Sequence, residues 1–160
     1  MWKWISRESN AIVAVATVVG IFVTVAGFCL TIWQLQQTTD QLRASNEYTI
    51  RKDLRELIQQ IAPKLRLECL SGPTDCDQRQ TKDATQSLGL LFNFYQSVYR
   101  QAQASGISPA FKAQMADDFC QSFERQEVSA FWDAQVAAGQ YKDERIKMRS
   151  AWCPGEASRK

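Results

Sequence analysis

The sequence predicts an all-α protein: one N-terminal transmembrane helix continues into a helical stalk, and a small helical-bundle domain follows. Residues 11–35 contain no charged side chain, and residues 31–61 contain neither Pro nor Gly. In the later segments apolar residues recur every three or four positions, which is the period of one face of a helix. No segment shows the period-two alternation of a β-strand.

The chain divides into five segments on this pattern. Residues 1–10 form an N-terminal tail, residues 11–35 the transmembrane helix, residues 36–62 the stalk, residues 63–153 the helical domain and residues 154–160 a C-terminal tail. An apolar run of about 25 residues is long enough to cross a hydrocarbon core of ~30 Å as a single helix.

Three interpretations of the apolar run compete. A cleaved secretory signal fits the basic residues Lys3 and Arg7 and the small-residue sequence at 24–26. A lipoprotein signal would need a small residue before its cysteine, but Phe28 precedes Cys29. We favour a retained anchor, because apolar residues continue well beyond the possible cleavage site. Tryptophans near both ends suit aromatic belts at the membrane interfaces: Trp2, Trp4 and Trp33.

Charges beside the apolar run predict its orientation. Lys3 and Arg7 precede it, and only Arg43 follows within about fifteen residues. The excess of positive charge therefore places the N-terminus in the cytoplasm and the domain outside. Three further cations at 51–55 favour the alternative, a domain in the cytoplasm.

One face of the predicted transmembrane helix carries only small and polar residues. Small faces let helix backbones approach closely in lipid. We therefore expect this face to pack against a copy of itself or against another membrane subunit; the alternative is that Gly and Thr are simply common in such helices. The residues of this face follow one another at intervals of three and four positions: Thr17, Gly20, Thr24, Gly27 and Thr31.

Apolar stripes define the helices that follow. The end of the stalk carries an apolar stripe, which we expect to contact the domain. It comprises Ile50, Leu54, Leu57, Ile58 and Ile61. The most regular spacing of apolar residues predicts a central helix, which ends at Gly106. One face of this helix carries Ala84, Leu88, Leu91, Tyr95, Val98 and Ala102. We expect one buried cluster to contain Leu88, Leu91, Tyr95, Val98, Phe119 and Trp132.

Three shorter helices complete the predicted domain. Ser108 is a suitable N-cap for the first, and Pro109 suits its first position. Its apolar face is Phe111, Met115, Phe119 and Phe123. After a break near Gln126 the second carries Val128, Phe131, Trp132 and Val136. Gly139 ends it, and the last helix runs from about Tyr141 to Trp152.

Five cysteines are present, and Cys29 lies in the apolar run. The four others are Cys69, Cys76, Cys120 and Cys153. We expect the first two to pair across a turn at Gly72-Pro73 and the last two to join the third helix to the end of the last. Buried free thiols are the alternative for the second pair. A four-cysteine zinc site would need a pair only two to four residues apart. Cys69 and Cys76 are seven residues apart and the other two are farther away, so we do not expect such a site.

Few residues suit catalysis. The absence of histidine removes every Ser-His or Cys-His nucleophile, and no glycine-rich phosphate loop occurs. The carboxylate pairs Asp117-Asp118 and Asp143-Glu144 are typical of solvated helix faces. A net charge of +2 is too small to indicate a nucleic-acid partner. We expect no catalytic residue, no cofactor and no metal, with membrane lipid and a membrane protein subunit as partners.

The layout resembles a loose group of uncharacterised bacterial proteins, which are single-span, membrane-anchored helical proteins of unknown function. The matching segments are residues 41–46 (QLRASN), residues 91–98 (LFNFYQSV), Gly106, Phe131-Trp132 and the closing stretch from Tyr141 to Trp152-Cys153. The resemblance implies a location in the bacterial inner membrane and no particular activity. In many members the domain faces the cytoplasm.

These features together lead to an expected function. We expect a non-catalytic, single-pass accessory or scaffold subunit, whose transmembrane helix and helical domain pack onto a membrane protein assembly. A membrane-anchored sensor or signalling module is the alternative, and a membrane-anchored enzyme is a weaker one.

Overall fold

The structure is a computed structural model that describes the backbone of residues 2–70 and 76–155. Side chains are described for residue 13 and from residue 15 onward within those ranges. Some sequence predictions lie outside the described residues: they concern the side chains of Trp2, Lys3, Trp4 and Arg7 and the turn at Gly72-Pro73.

The described chain is helical, and no strand occurs in it, which confirms the predicted all-α class. Its elements, in chain order, are α1 (Trp2–Ile61), a short 3₁₀ helix (Leu67–Leu70), α2 (Gln78–Gln103), α3 (Pro109–Ser122), α4 (Gln126–Ala137) and α5 (Asp143–Trp152). They form two compact units, Met1–Leu42 and Arg43–Lys160, and α1 contributes residues to both.

Local signals fix where the helices begin. Asp77 caps α2: its side chain accepts a hydrogen bond from the backbone N–H of Gln80 at 2.7 Å, and the Gln80 side chain accepts one from the Asp77 N–H at 2.9 Å. This reciprocal capping box satisfies two N–H groups that the helix itself leaves unpaired. Ser108 caps α3 in a similar way through the N–H of Phe111, with Pro109 at the first helical position.

Local sequence signals also explain where α1 and α4 end. α1 ends at Ile61, two residues before Pro63, as expected because a proline disfavours helical backbone in the residue before it. α4 ends at Ala137, and Gly139 follows with φ +67°. That left-handed conformation costs glycine little and other residues more, so the position suits the end of a helix.

Aromatic rings form the centre of the core in the second unit. Phe92 of α2 is fully buried (0% exposed). Ring contacts of this kind add to the free energy gained by burying apolar area. Five rings have centroids 5.0–6.3 Å from that of Phe92: Phe119, Phe123, Phe131, Trp132 and Tyr141.

The predicted apolar face of α2 is right in period, but its centre differs. Leu88, Tyr95 and Val98 are buried in the core as expected. Leu91 is only partly buried, and the fully enclosed side chain is its neighbour Phe92, over which the rings of α3 and α4 close. In α5, Met148 is buried while Ile146 is 42% exposed.

The C-terminal part of α1 belongs to the second unit. Ile50 lies in the core at 3% exposure, and Leu54 packs against it. Ile61 is also buried at 3%. Ile58, on the same stretch, is 47% exposed. The end of α1 therefore contributes apolar side chains to the domain.

We predict that Phe92→Ala lowers the free energy of unfolding by about 3–5 kcal/mol, because it opens a cavity among five rings. Leu90→Ala, on an exposed site of the same helix, should change it by less than about 0.5 kcal/mol. Urea unfolding of the full chain, followed by near-ultraviolet circular dichroism, measures both. Equal losses for the two variants would contradict the ring-centred core.

Candidate functional site

The N-terminal unit presents an apolar helix surface. The candidate span in α1 lies within Val15–Ile61; the mean hydropathy of its most apolar window is 2.4, and none of that window is buried. Large apolar side chains are exposed along it, among them Val15 (64%), Phe22 (71%) and Phe28 (67%). α1 is the one helix in the described chain that is long and apolar enough to cross a membrane.

The predicted packing face on α1 has its hydroxyls satisfied within the helix. Thr24 Oγ1 donates to the Gly20 carbonyl and Thr31 Oγ1 to the Gly27 carbonyl, each at 2.8 Å. Thr17 makes the same bond one helical turn back, to the Val13 carbonyl. These bonds leave none of the three hydroxyl donors unpaired, which would lower the cost of placing this face in lipid.

The two glycines of this face leave open space. A Cβ atom built at Gly20 or Gly27 would have no neighbouring atom within 4 Å. A second helix could therefore approach the backbone closely here. Cys29 is exposed, and at 100° per residue it lies on the opposite side of the helix.

The four cysteines outside the apolar run form the two predicted pairs. Cys69 and Cys76 have an S–S distance of 2.01 Å and a Cα–Cα distance of 5.7 Å. Cys120 and Cys153 have an S–S distance of 1.95 Å and a Cα–Cα distance of 5.6 Å. Both Cα separations lie within the range that a disulfide requires. The second pair joins α3 to the residue after α5.

Polar side chains of α1 hold the turn between α2 and α3. Arg43 Nε donates to the Ser105 carbonyl at 3.2 Å, and Asn46 Nδ2 donates to the Gly106 carbonyl at 2.8 Å. Gly106 permits this close approach, since a Cβ there would lie 3.2 Å from Asn46 Nδ2. The sequence reasoning missed these contacts, because nothing in the pattern of α1 marks Arg43 or Asn46 as partners of a turn 60 residues away.

α1 also contacts the start of α3. The Glu47 carboxylate accepts a hydrogen bond from the Ser108 N–H at 2.7 Å, where the positive end of the α3 dipole favours an anion. One turn later the Arg51 guanidinium lies 5.1 Å from the centre of the Phe111 ring. Arg51 Nη2 also donates to Gln114 Oε1 at 3.0 Å.

Glu144 joins α5 to α2. Arg100 donates to both oxygens of its carboxylate, with Nε 2.6 Å from Oε1, and Gln96 Nε2 donates to Oε2 at 2.7 Å. The hydrogen bonds from Arg100, followed by that from Gln96, lower the pKa of Glu144 to about 2. The sequence indicated only a solvated charged face, but this carboxylate has specific partners.

Two further cations of α5 lie over aromatic rings. The Arg145 guanidinium is 4.2 Å from the Tyr141 ring centre, and that of Arg149 is 4.2 Å from the Phe123 ring centre. Arg149 also pairs with Asp133 at 3.2 Å. These contacts use the quadrupole of the ring face to stabilise the cation, so α5 packs through charged as well as apolar side chains.

The carboxylate pairs are not brought together into one site. Asp117 accepts a hydrogen bond from Gln121 at 3.1 Å, and Asp143 is exposed in the first turn of α5. Burial, and then the charge of Asp118, raises the pKa of the Tyr95 hydroxyl to about 12. Within residues 13–70 and 76–155, no group of three cysteine or acidic side chains is placed to hold a metal ion.

No protein-family model, curated protein or solved structure matches the chain. The function is therefore inferred from the chain's own residues, and the resemblance to uncharacterised bacterial proteins stays a prediction.

We predict that the carboxylate of Glu144 stabilises the fold at neutral pH and loses this effect in acid. Because its pKa is about 2 in the folded protein against an ordinary 4.5, its contribution is fully present above pH 4.5. It disappears as the pH falls towards 2, since the unfolded state then takes up a proton more readily. Urea midpoints measured from pH 6 to pH 2 should show this loss in the native chain.

The matched variants are Glu144→Gln, which removes the titrating group, and Asp53→Asn, which removes an exposed carboxylate of α1. The acid-dependent loss should shrink in the first and persist in the second. An unchanged pH profile for Glu144→Gln would contradict the assignment.

Proposed function

We propose that this protein is a non-catalytic, single-pass accessory or scaffold subunit of a membrane protein assembly in the bacterial inner membrane. Residues 11–35 anchor the chain in lipid, and the helical domain docks onto the assembly. The single observation that carries the proposal is the exposed, uncharged apolar surface of α1. Removing such a surface from water is favourable at roughly 25 cal/mol per Å².

A partner within the membrane is supported by the packing face on α1. Its glycines leave space, and its threonine hydroxyls are bonded to the helix's own carbonyls. Both features suit close contact between helices in lipid, where van der Waals packing drives association. The face would accept another subunit or a second copy of this chain.

An outward-facing domain is supported by the cysteine pairs and by the basic N-terminal flank. Disulfides persist in oxidising compartments such as the periplasm and are rare in the cytoplasm. With Cys69–Cys76 and Cys120–Cys153 at bonding distance, we propose a cytoplasmic N-terminus and a periplasmic domain. A cytoplasmic domain is the alternative.

A sensor module is the second candidate. The observation that favours it is that α1, which carries the apolar run, also supplies Arg43, Asn46 and Glu47 to the turn between α2 and α3 and the start of α3. A change at that turn would act directly on residues of the anchoring helix.

We predict that Gly20→Leu combined with Gly27→Leu removes the partner from the purified complex. Leucine side chains would fill the space through which a second helix approaches, while the soluble domain should remain folded. Purification in mild detergent, with quantification of the co-purifying membrane protein and of cross-linked dimer, measures the effect.

The control for this experiment is Val18→Leu combined with Val25→Leu, which adds leucines at the same spacing on another face of α1. It should retain the partner. A stoichiometric partner that survives both double variants equally would show that the face does not pack.

We predict that the four paired cysteines resist thiol labelling until they are reduced. In a Cys29→Ser background, a membrane-impermeant maleimide applied from the periplasmic side should label them only after treatment with a reductant, because an oxidising compartment maintains both pairs. Four thiols that react without reduction, and only after the inner membrane is opened, would place the domain in the cytoplasm.

A further inference from the structure

The two cysteine pairs join neighbours along the chain. Cys69 pairs with Cys76, which is seven residues away, and Cys120 pairs with Cys153, which is 33 residues away. Four cysteines allow three different sets of two disulfides. In each of the other two sets, both disulfides would close loops longer than either loop of the observed set. An unfolded chain therefore reaches the observed set at the lowest cost in conformational entropy, because that cost rises with loop length.

The fold buries one cysteine of each pair. Cys69 is 4% exposed and Cys153 is 6% exposed, whereas Cys76 and Cys120 are only partly buried. Disulfides form by direct attack of one sulfur atom on another, so an enzyme that makes them must come into contact with a thiol of the chain. Both thiols of a pair are accessible to an enzyme only before the domain folds.

The fifth cysteine does not compete for these partners. Cys29 lies in the uncharged run of residues 11–35, which we propose to be in lipid. Disulfide exchange proceeds through a thiolate, and an anion is costly in hydrocarbon. The thiols that take part in exchange are therefore four, an even number.

We propose that this chain is a substrate of a periplasmic thiol oxidase, an enzyme with a reactive disulfide, and that it needs no disulfide isomerase. The inference goes beyond the accessory function and rests on the outward-facing domain proposed with it. A thiolate of the chain attacks the disulfide of the oxidase, which forms a mixed disulfide and releases one oxidase thiolate. The neighbouring thiolate of the chain then attacks the chain's own sulfur in the mixed disulfide and releases the second. Each new pair passes two electrons to the oxidase, whose thiolates take up the two protons that the chain's thiols have lost.

The order of the cysteines makes this route direct. The domain follows the anchor in the chain, so Cys69 leaves the membrane first and Cys153 last. Cys69 and Cys76 are the first two thiols to meet the oxidase. Once they are joined, Cys120 has only Cys153 left as a partner. Each oxidation therefore produces a native pair, and no wrong pair has to be reopened.

The test is the redox state of the full chain in three otherwise identical bacterial hosts: the parent, one without its periplasmic thiol oxidase and one without its periplasmic disulfide isomerase. Free thiols are trapped with acid and labelled with a polyethylene-glycol maleimide, and peptide mass spectrometry identifies the pairs. Both native pairs should form in the parent and in the host without the isomerase. The host without the oxidase should accumulate chain in which the four thiols are free.

A matched variant reverses the expectation. Ser97 is an exposed residue of α2 and lies between Cys76 and Cys120 in the chain. In Ser97→Cys the added thiol leaves the membrane before Cys153 and closes a shorter loop with Cys120 than Cys153 does. We expect a non-native disulfide between positions 97 and 120 in the host without the isomerase, and recovery of the 120–153 pair in the parent. Ser97→Ala adds no thiol and should behave like the native chain.

Three results would overturn this inference while leaving the outward orientation in place. One is mispairing of the native chain in the host without the isomerase, and another is complete native pairing in the host without the oxidase. The third is a Ser97→Cys chain that forms only native pairs without the isomerase, which would show that the fold, rather than the order of the cysteines, selects the pairs. Four free thiols in the parent would place the domain in the cytoplasm and would defeat both the orientation and this inference.

Discussion

The exposed apolar surface of α1 is the constraint on which the proposed function of this protein depends. Side chains such as Phe22 and Phe28 are about two-thirds exposed, and a surface of this kind is unfavourable in water. An α-helix is one of the two backbone structures that satisfy their polar groups within a bilayer. Placing the helix in lipid would remove the apolar side chains from water and would leave the predicted packing face available to another helix. The proposed anchoring therefore follows from hydration rather than from any catalytic group.

The second unit shows how the end of the same helix becomes part of a folded domain. Ile50 enters the aromatic core, while Asn46 and Glu47 satisfy backbone groups at the turn before α3 and at its first residues. Buried or crowded backbone groups need such partners, so these contacts have a structural role whether or not the protein transmits a signal. The cysteine pair 120–153 adds a covalent link between α3 and the end of α5.

Local sequence signals predicted much of this fold. Ser108-Pro109 marked the start of α3, and all four residues of its predicted face, Phe111, Met115, Phe119 and Phe123, are buried. The spacing of apolar residues alone could not predict that Phe92, rather than Leu91, is fully buried, because that depends on how rings from other helices pack. Nor could sequence predict the partners of Glu144, since Gln96 and Arg100 lie more than 40 residues away in the chain and meet it through side-chain geometry.

The mass of the chain in membranes tests the central claim most directly. A retained anchor predicts that protein extracted from alkali-washed membranes contains residues 11–35 and has the intact mass of 18.2 kDa, apart from processing of the first methionine. Alkali removes peripheral proteins but leaves a chain that spans the bilayer. A chain shortened by about 26 residues and found in the soluble fraction would identify the apolar run as a cleaved signal. That result would contradict the account of this protein as a membrane-anchored subunit.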